Sequence, residues 1–323
     1  MLIATLNRDI NNIISRYSQQ NIYTYKLGLA RSMLALSSLL TLILNDSSIL
    51  FNNGEAFHAI SFSQEMYFLQ KFNLFILFGQ NNLGIAKSLA ILILFLSASG
   101  WQPKITCLFH VWVCVSFNHA AVLIEGGDQI ASNLALMLVP ICLLDSRSWH
   151  WKSNKPADFQ AEKLLIANYF LFIIKLQMCL LYFHAGVGKI PMKEWSNGTA
   201  VYYWFNDPVF GMRDWMHVIL DPILSNPYGV ALLTWGTMLL EITLFCAILM
   251  SKRSRYILFI LGLLFHLSII VIHGLFSFFI SMSAGLMLYL WVDNSYGNIL
   301  PYVKTFPLKF KASGLFHRTK AQF

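Results

Sequence analysis

Between Tyr256 and Val292 the chain has no Asp, Glu, Lys or Arg. A hydrocarbon core roughly 30 Å thick is crossed by about 20 apolar residues in helical form. This run exceeds one crossing, so it predicts a tight helical hairpin broken at His273–Gly274. Similar stretches recur upstream. The eight expected spans are Leu27–Leu44, Leu83–Ser99, Ile105–Ile124, Gln129–Leu144, Leu164–Gly186, Tyr228–Met250, Tyr256–Ile272 and Leu275–Val292. None shows the ten-residue alternation of a membrane barrel strand. The expected fold class is therefore all-α, a polytopic transmembrane helical bundle of about eight spans.

Composition excludes the other classes. Charged residues make up 12% of the chain, half the share of about 25% that a soluble domain uses to face water. Mean hydropathy is +0.58. With 18 Gly, 9 Pro and 5 Cys in 323 residues, collagen, disorder and a disulfide scaffold are all ruled out. All five cysteines (Cys107, Cys114, Cys142, Cys179, Cys246) fall inside expected spans, and no Cys-x-x-Cys pair occurs.

The net charge of +8 would point to nucleic acid in a soluble protein, but its placement points to lipid. Short basic loops stay on the cytoplasmic side. Arg8, Arg16 and Lys26 precede the first span, and Lys104 follows the second. Arg147, Lys152, Lys155 and Lys163 follow the fourth, and Lys252, Arg253 and Arg255 the sixth. Acidic residues mark the alternate loops: Asp46, Glu55 and Glu65, then Glu125 and Asp128. Both termini are thus expected on the cytoplasmic side of the membrane. Residues 1–26 carry Leu6, Ile10, Ile13, Ile14 and Tyr17 at helical spacing, which predicts an amphipathic helix on the inner membrane surface. Residues 27–292 form the membrane domain and 293–323 a basic cytoplasmic tail. The aromatic stretch from Met66 to Phe78 predicts a re-entrant or interfacial helix.

Ionisable groups at membrane depth are costly and mark candidate sites. They are Arg31, Lys175 and Glu241, with His110, His119, His184, His266 and His273. Glu241 is expected to pair with Arg31 or Lys175, and a structural ion pair is favoured over a proton relay. Cys107, His110, Cys114 and Asn118 share a helical face. Thiolate and imidazole are metal ligands, yet buried Cys usually serves as a small hydrophobe, so no metal is assigned.

The densest polar constellation runs from Tyr182 to Ala200. Its Gly-Val-Gly-Lys segment is no phosphate loop: Phe183 replaces the first glycine, and Ile190 stands where Ser or Thr must ligate magnesium. It offers a helix end with small residues, then Lys189, then Trp195. A desolvated lysine supplies a neutral amine that acts as base or nucleophile. The competing reading is a snorkelling lysine with a belt tryptophan, which helix ends show routinely. On residues alone the second reading is favoured.

Arg31, Gly126-Gly127-Asp128-Gln129, Leu143-Leu144-Asp145-Ser146-Arg147, Gly188-Lys189, Trp195, Asn197-Gly198-Thr199-Ala200 and Tyr202-Tyr203-Trp204-Phe205 form a wider pattern. Thr234-Trp235-Gly236 with Glu241, His266, and Gly274 with Phe276-Ser277-Phe278 complete it. In these residues the chain resembles the SdpB-like sporulation-delaying proteins. These belong to the HTTM superfamily, whose membrane domain is related to that of vitamin K-dependent γ-carboxylase. The resemblance implies a part in maturing a secreted toxic peptide, with an SdpA-like companion and the toxin precursor as partners. Lys189 matches the carboxylase's basic lysine by its Ala-Gly-Val-x-Lys context, and His184, about one turn back, is its expected catalytic neighbour. The segment between Lys189 and Trp195 departs from the carboxylase, so no quinone or other cofactor is assigned. Two readings stay open: an enzyme subunit using Lys189, and a non-catalytic chaperone or export scaffold for the precursor. A transporter or immunity protein ranks last, because no paired broken helices or repeats occur.

Overall fold

The computed structural model describes residues 2–51, 71–152 and 160–291. Among these residues the elements are helical, and the one β-type contact is an isolated bridge between Trp101 and Trp149. In chain order the helices are α1 (Leu2–Gln19), α2 (Tyr25–Leu44), α3 (Ser47–Phe51), α4 (Leu74–Phe78), α5 (Leu83–Ser99), α6 (Pro103–Ala120) and α7 (Gly126–Leu144). There follow α8 (Ala161–Val187), α9 (Lys193–Ser196), α10 (Ala200–Phe205), α11 (Asp214–Leu224), α12 (Pro227–Cys246), α13 (Lys252–His273) and α14 (Phe276–Leu286). A π-helical segment, Met287–Trp291, extends α14.

Each of the eight expected runs contains a helix, but only six helices among the described residues are long and apolar enough to cross a bilayer. The third run, α6, is diluted by Lys104, His110, Asn118 and His119. The last run forms only Phe276–Trp291. That helix sits inside the bundle rather than against lipid: every residue from Ser281 to Leu290 is buried, against α2, α7 and α13. Its Ser, Gly and irregular hydrogen bonding are tolerated at membrane depth because protein surrounds them.

Local signals set the helix ends. Ser251 Oγ accepts from the Ser254 N–H at 3.3 Å and starts α13. Gly274, at φ +72°, stops it by donating to the Ile270 carbonyl. That is the break expected at His273–Gly274. Asn226 caps α12 by accepting from the Tyr228 N–H at 3.0 Å, with Pro227 next.

Among the described residues, three apolar clusters hold the bundle. The largest lies among α2, α7, α8, α13 and α14, with Leu34, Leu134, Met178 and Leu286 almost wholly enclosed. A second joins the end of α2 to α3 through α6, where Phe51 and Phe75 ring centroids lie 4.8 Å apart. A third packs α10 and α11 on the start of α12 through Val201, Met216, Leu224 and Val230. Helix α1 is tied to α8 by Asn168, whose Nδ2 donates to the Gln20 carbonyl at 2.8 Å. Of the stretch read as re-entrant, residues 66–70 lie outside the described residues, and α4 buries Leu74 and Phe75 in the second cluster. The tail 293–323 also lies outside them.

Candidate functional site

Helix α8 ends where the Gly188 N–H donates to the His184 carbonyl at 3.0 Å. Two turns back-to-back then carry the chain through Lys189 into α9. Gly186 brings α12 against this end. A Cβ there would lie 2.8 Å from Ile242 Cγ1, 3.0 Å from the Ile242 nitrogen and 3.3 Å from Glu241 Cβ. Only glycine admits that approach. It sets Glu241 opposite Lys189, and Lys189 Nζ donates to Glu241 Oε2 in an ion pair. The same ammonium lies 4.8 Å from the centre of the Trp195 ring, within cation–π range. Trp235 Nε1 donates to the Trp195 carbonyl at 3.2 Å and fixes that ring's backbone to α12.

Lys189, Trp195 and Glu241 line a cavity of about 1120 Å³ at this end of the bundle. Its walls are chiefly apolar, with Trp204, Phe205, Phe210, Phe265 and Phe278 prominent. A few polar groups converge on it, the usual make-up of a ligand site. Tyr182 Oη and His266 Nε2 are 3.1 Å apart, both side chains buried. Thr41 Oγ1 donates to Asp128 Oδ1 at 3.0 Å, and Ser277 Oγ donates to Glu125 Oε1. Asp128 Oδ2 and His266 Nδ1 have no hydrogen-bond partner among the described residues. The arrangement suits an amphiphilic occupant whose polar end meets a lysine–carboxylate pair.

The expected site residues separate into two groups. Lys189, Trp195, Glu241, His266 and Asp128 share the cavity. Two expectations need correction, the partner of Glu241 and the place of His184. Glu241 pairs with Lys189, not with Arg31 or Lys175, because the Gly186 contact decides what faces it. His184 is exposed and does not line the cavity; the lining positions Leu181, Tyr182, Ala185 and Lys189 take the adjacent helical face. The imidazoles that line the cavity are those of His266 and His273. Lys175 is buried on α8 away from the cavity lining.

Arg31 belongs to a second cluster at the opposite end. Its guanidinium donates to Thr106 Oγ1, and its Nη1 is 3.1 Å from His150 Nδ1. Arg147, expected as a surface charge, is buried beside it. Arg147 Nη2 meets Asp145 Oδ2 at 2.8 Å, and its Nη1 donates to the carbonyls of Tyr23, His150 and Lys152. Burial and the nearby Arg31 and Arg147 charges push His150 down to about 3. Sequence reasoning missed His150, which lies in a polar connection, and named Tyr182 only as the start of the polar constellation, without a role. Cys107 donates to the Lys104 carbonyl and Cys114 lies 3.4 Å from Ser38 Oγ. Among the described residues no three His, Cys, Asp or Glu side chains gather to hold a metal.

Residues 134–294 match the HTTM domain family. The match spans Lys189, Trp195, Glu241 and His266. The chain is 35% identical over 286 residues to the uncharacterized protein YitO of Bacillus subtilis (strain 168), covering 87% of this chain and 90% of YitO. It is 34% identical over 284 residues to sporulation-delaying protein SdpB of the same organism, covering 87% of this chain and 85% of SdpB. No solved structure matches the chain. A multi-pass bundle with the HTTM signature, matched to both relatives over most of their length, belongs to the SdpB and YitO family of HTTM-domain membrane proteins.

Proposed function

We propose that this protein takes part in maturing a secreted toxic peptide of the sporulation-delaying type, acting with an SdpA-like companion, and that Lys189 is the base of the reaction. The observation that carries the reading is the Lys189–Glu241 pair at the edge of a large apolar cavity. In a medium of low dielectric, separated charges are poorly stabilised relative to their neutral forms. Passing the ammonium proton to Glu241 leaves a neutral amine facing the cavity. That amine takes a proton from the substrate: the new N–H bond forms, the substrate's bond to hydrogen breaks, and its electron pair stays behind for the next step. His266 and Tyr182 stand on the same wall as a second proton-carrying pair.

The topology proposed with it has eight crossings, counting α6 and the buried α14, and both termini in the cytoplasm. Helix α1 lies on the inner surface, and the cavity opens outward, where a secreted precursor is met. Loop charges support this orientation. Labelling of cysteines placed at Arg253 and at Asn197 should find the two on opposite sides of the membrane; the same side for both would overturn it.

The deciding experiment is Lys189→Arg. Arginine keeps the positive charge beside Glu241 but does not deprotonate. Mass spectrometry of the secreted peptide should show maturation lost while the variant protein inserts normally. Full activity would instead favour the scaffold reading. That reading draws on a specific observation: Lys189 is already engaged by Glu241 and Trp195, as an interfacial anchor would be.

A further inference from the structure

Helix α11 (Asp214–Leu224) presents three distinct faces. At 100° per residue, Met216, Leu220 and Leu224 fall on one side and pack into the cluster against α12. Asp214, His217 and Asp221 fall on a second, polar side, where His217 Nδ1 lies 2.9 Å from Asp221 Oδ1. Trp215, Val218 and Ile219 fall on a third side that joins no apolar cluster among the described residues; Val218 is 82% exposed. A helix buried once needs one apolar stripe. This one carries a further apolar arc that joins the packed side at Ile223, leaving only the side of Asp214, His217 and Asp221 polar.

The unpacked face continues onto the exposed side of α12, a helix long and apolar enough to cross a bilayer. Four residues after α11, Tyr228 lies in the first turn of α12 and is itself 85% exposed. Leu232, Trp235 and Leu239 then run exposed along the same span. Tyr203 and Trp204 on α10 are exposed as well. Tryptophan and tyrosine with an apolar body and a polar edge collect at headgroup depth.

We infer that α11 lies in the headgroup layer of the bilayer, with Trp215, Val218 and Ile219 in lipid and Asp214, His217 and Asp221 in water. Its buried side is a wall of the cavity, since Leu220 and Ile223 line that space. The helix is thus a partition between lipid and cavity. This inference requires only that the bundle sits in a membrane, and it stands whether or not Lys189 is a base.

Nitroxide labels on Val218→Cys and on Asp221→Cys test it, in protein reconstituted into phosphatidylcholine nanodiscs with Cys246→Ala; Cys107, Cys114, Cys142 and Cys179 are buried. Collisions with oxygen, which partitions into lipid, are compared with those of a water-soluble nickel chelate. The oxygen-to-nickel ratio should be several-fold higher at residue 218 than at 221. Equal ratios would place both faces in the same environment and overturn the inference. Protection of residue 218 from both reagents would also overturn it, by showing a protein partner or second copy on that face. Should Val218→Cys fail to fold, Ile219→Cys reports the same face.

Discussion

Lys189 and Glu241 form an ion pair across the closest approach of α8 and α12, beside a glycine that makes the approach possible. Each partner stabilises the other where water is scarce, so removing one is unlike removing both.

Glu241 is buried more deeply than Lys189, with side-chain exposures of 8% and 21%. Lys189→Met therefore strands a carboxylate and should lower stability toward the lower end of about 3–5 kcal/mol. Glu241→Gln should cost less, because the ammonium can still reach solvent and the Trp195 face. The double variant should recover part of the loss, giving a favourable coupling in a double-mutant cycle. Thermal unfolding in detergent reads all four proteins. Additive losses would mean that the two residues do not act as a pair.

Gly186→Val should part α8 from α12, since even a Cβ reaches within 2.8 Å of Ile242 Cγ1. Overpacking of this kind costs about 1–3 kcal/mol. Because the contact also sets Glu241 against Lys189, the variant should lose peptide maturation at temperatures where it remains folded. A crosslink between cysteines on α8 and α12 that forms equally well in the parent and in the Gly186→Val variant would contradict this.

His150 gives the fold a predictable response to acid. Its ordinary value of 6.5 falls to about 3 in the folded protein, owing to burial and then to Arg31 and Arg147. Below pH 6.5 the unfolded chain binds a proton that the folded one refuses, so stability falls with decreasing pH. The contribution is complete above pH 6.5 and is lost progressively toward pH 3. Melting curves between pH 7 and pH 4 should show a decline that is smaller in His150→Gln than in the parent.

Arg147→Lys should behave as a disruptive change despite keeping charge. Arg147 meets both oxygens of Asp145 and three backbone carbonyls, whereas lysine has three donors on one nitrogen. Losing charged hydrogen bonds at about 1.5–3 kcal/mol each should lower the melting temperature markedly. Asp145→Asn should do the same more mildly. An unchanged melting temperature for Arg147→Lys would remove this cluster from any structural role.

The long apolar runs made the helical bundle legible, since only helices and closed barrels satisfy the backbone in lipid and these runs lack the alternation of barrel strands. The hairpin at Gly274 was legible for the same reason. What escaped was partnership. Glu241 is separated from Lys189 by 52 positions, and only the crossing at Gly186 decides that it meets this lysine instead of Lys175 on α8. Arg147 carried a misleading signal: basic residues between spans normally face water, and this one is folded under the bundle with Asp145. His184 was expected beside Lys189 by proximity along the chain, but the helix turns it to another face. The shortness of α14 was likewise invisible, because an enclosed helix and a lipid-facing one share the same hydropathy.

The partition formed by α11 has a consequence for how any occupant of the cavity would be counted. A site whose wall is shared with the headgroup layer meets amphiphiles that diffuse in two dimensions. Its occupancy then follows their mole fraction in the membrane, and their concentration in the surrounding water matters only through partitioning. Adding inert lipid or detergent at a fixed total amount of such a molecule would empty the site by surface dilution. Affinities for this cavity are therefore comparable between preparations only when expressed per lipid.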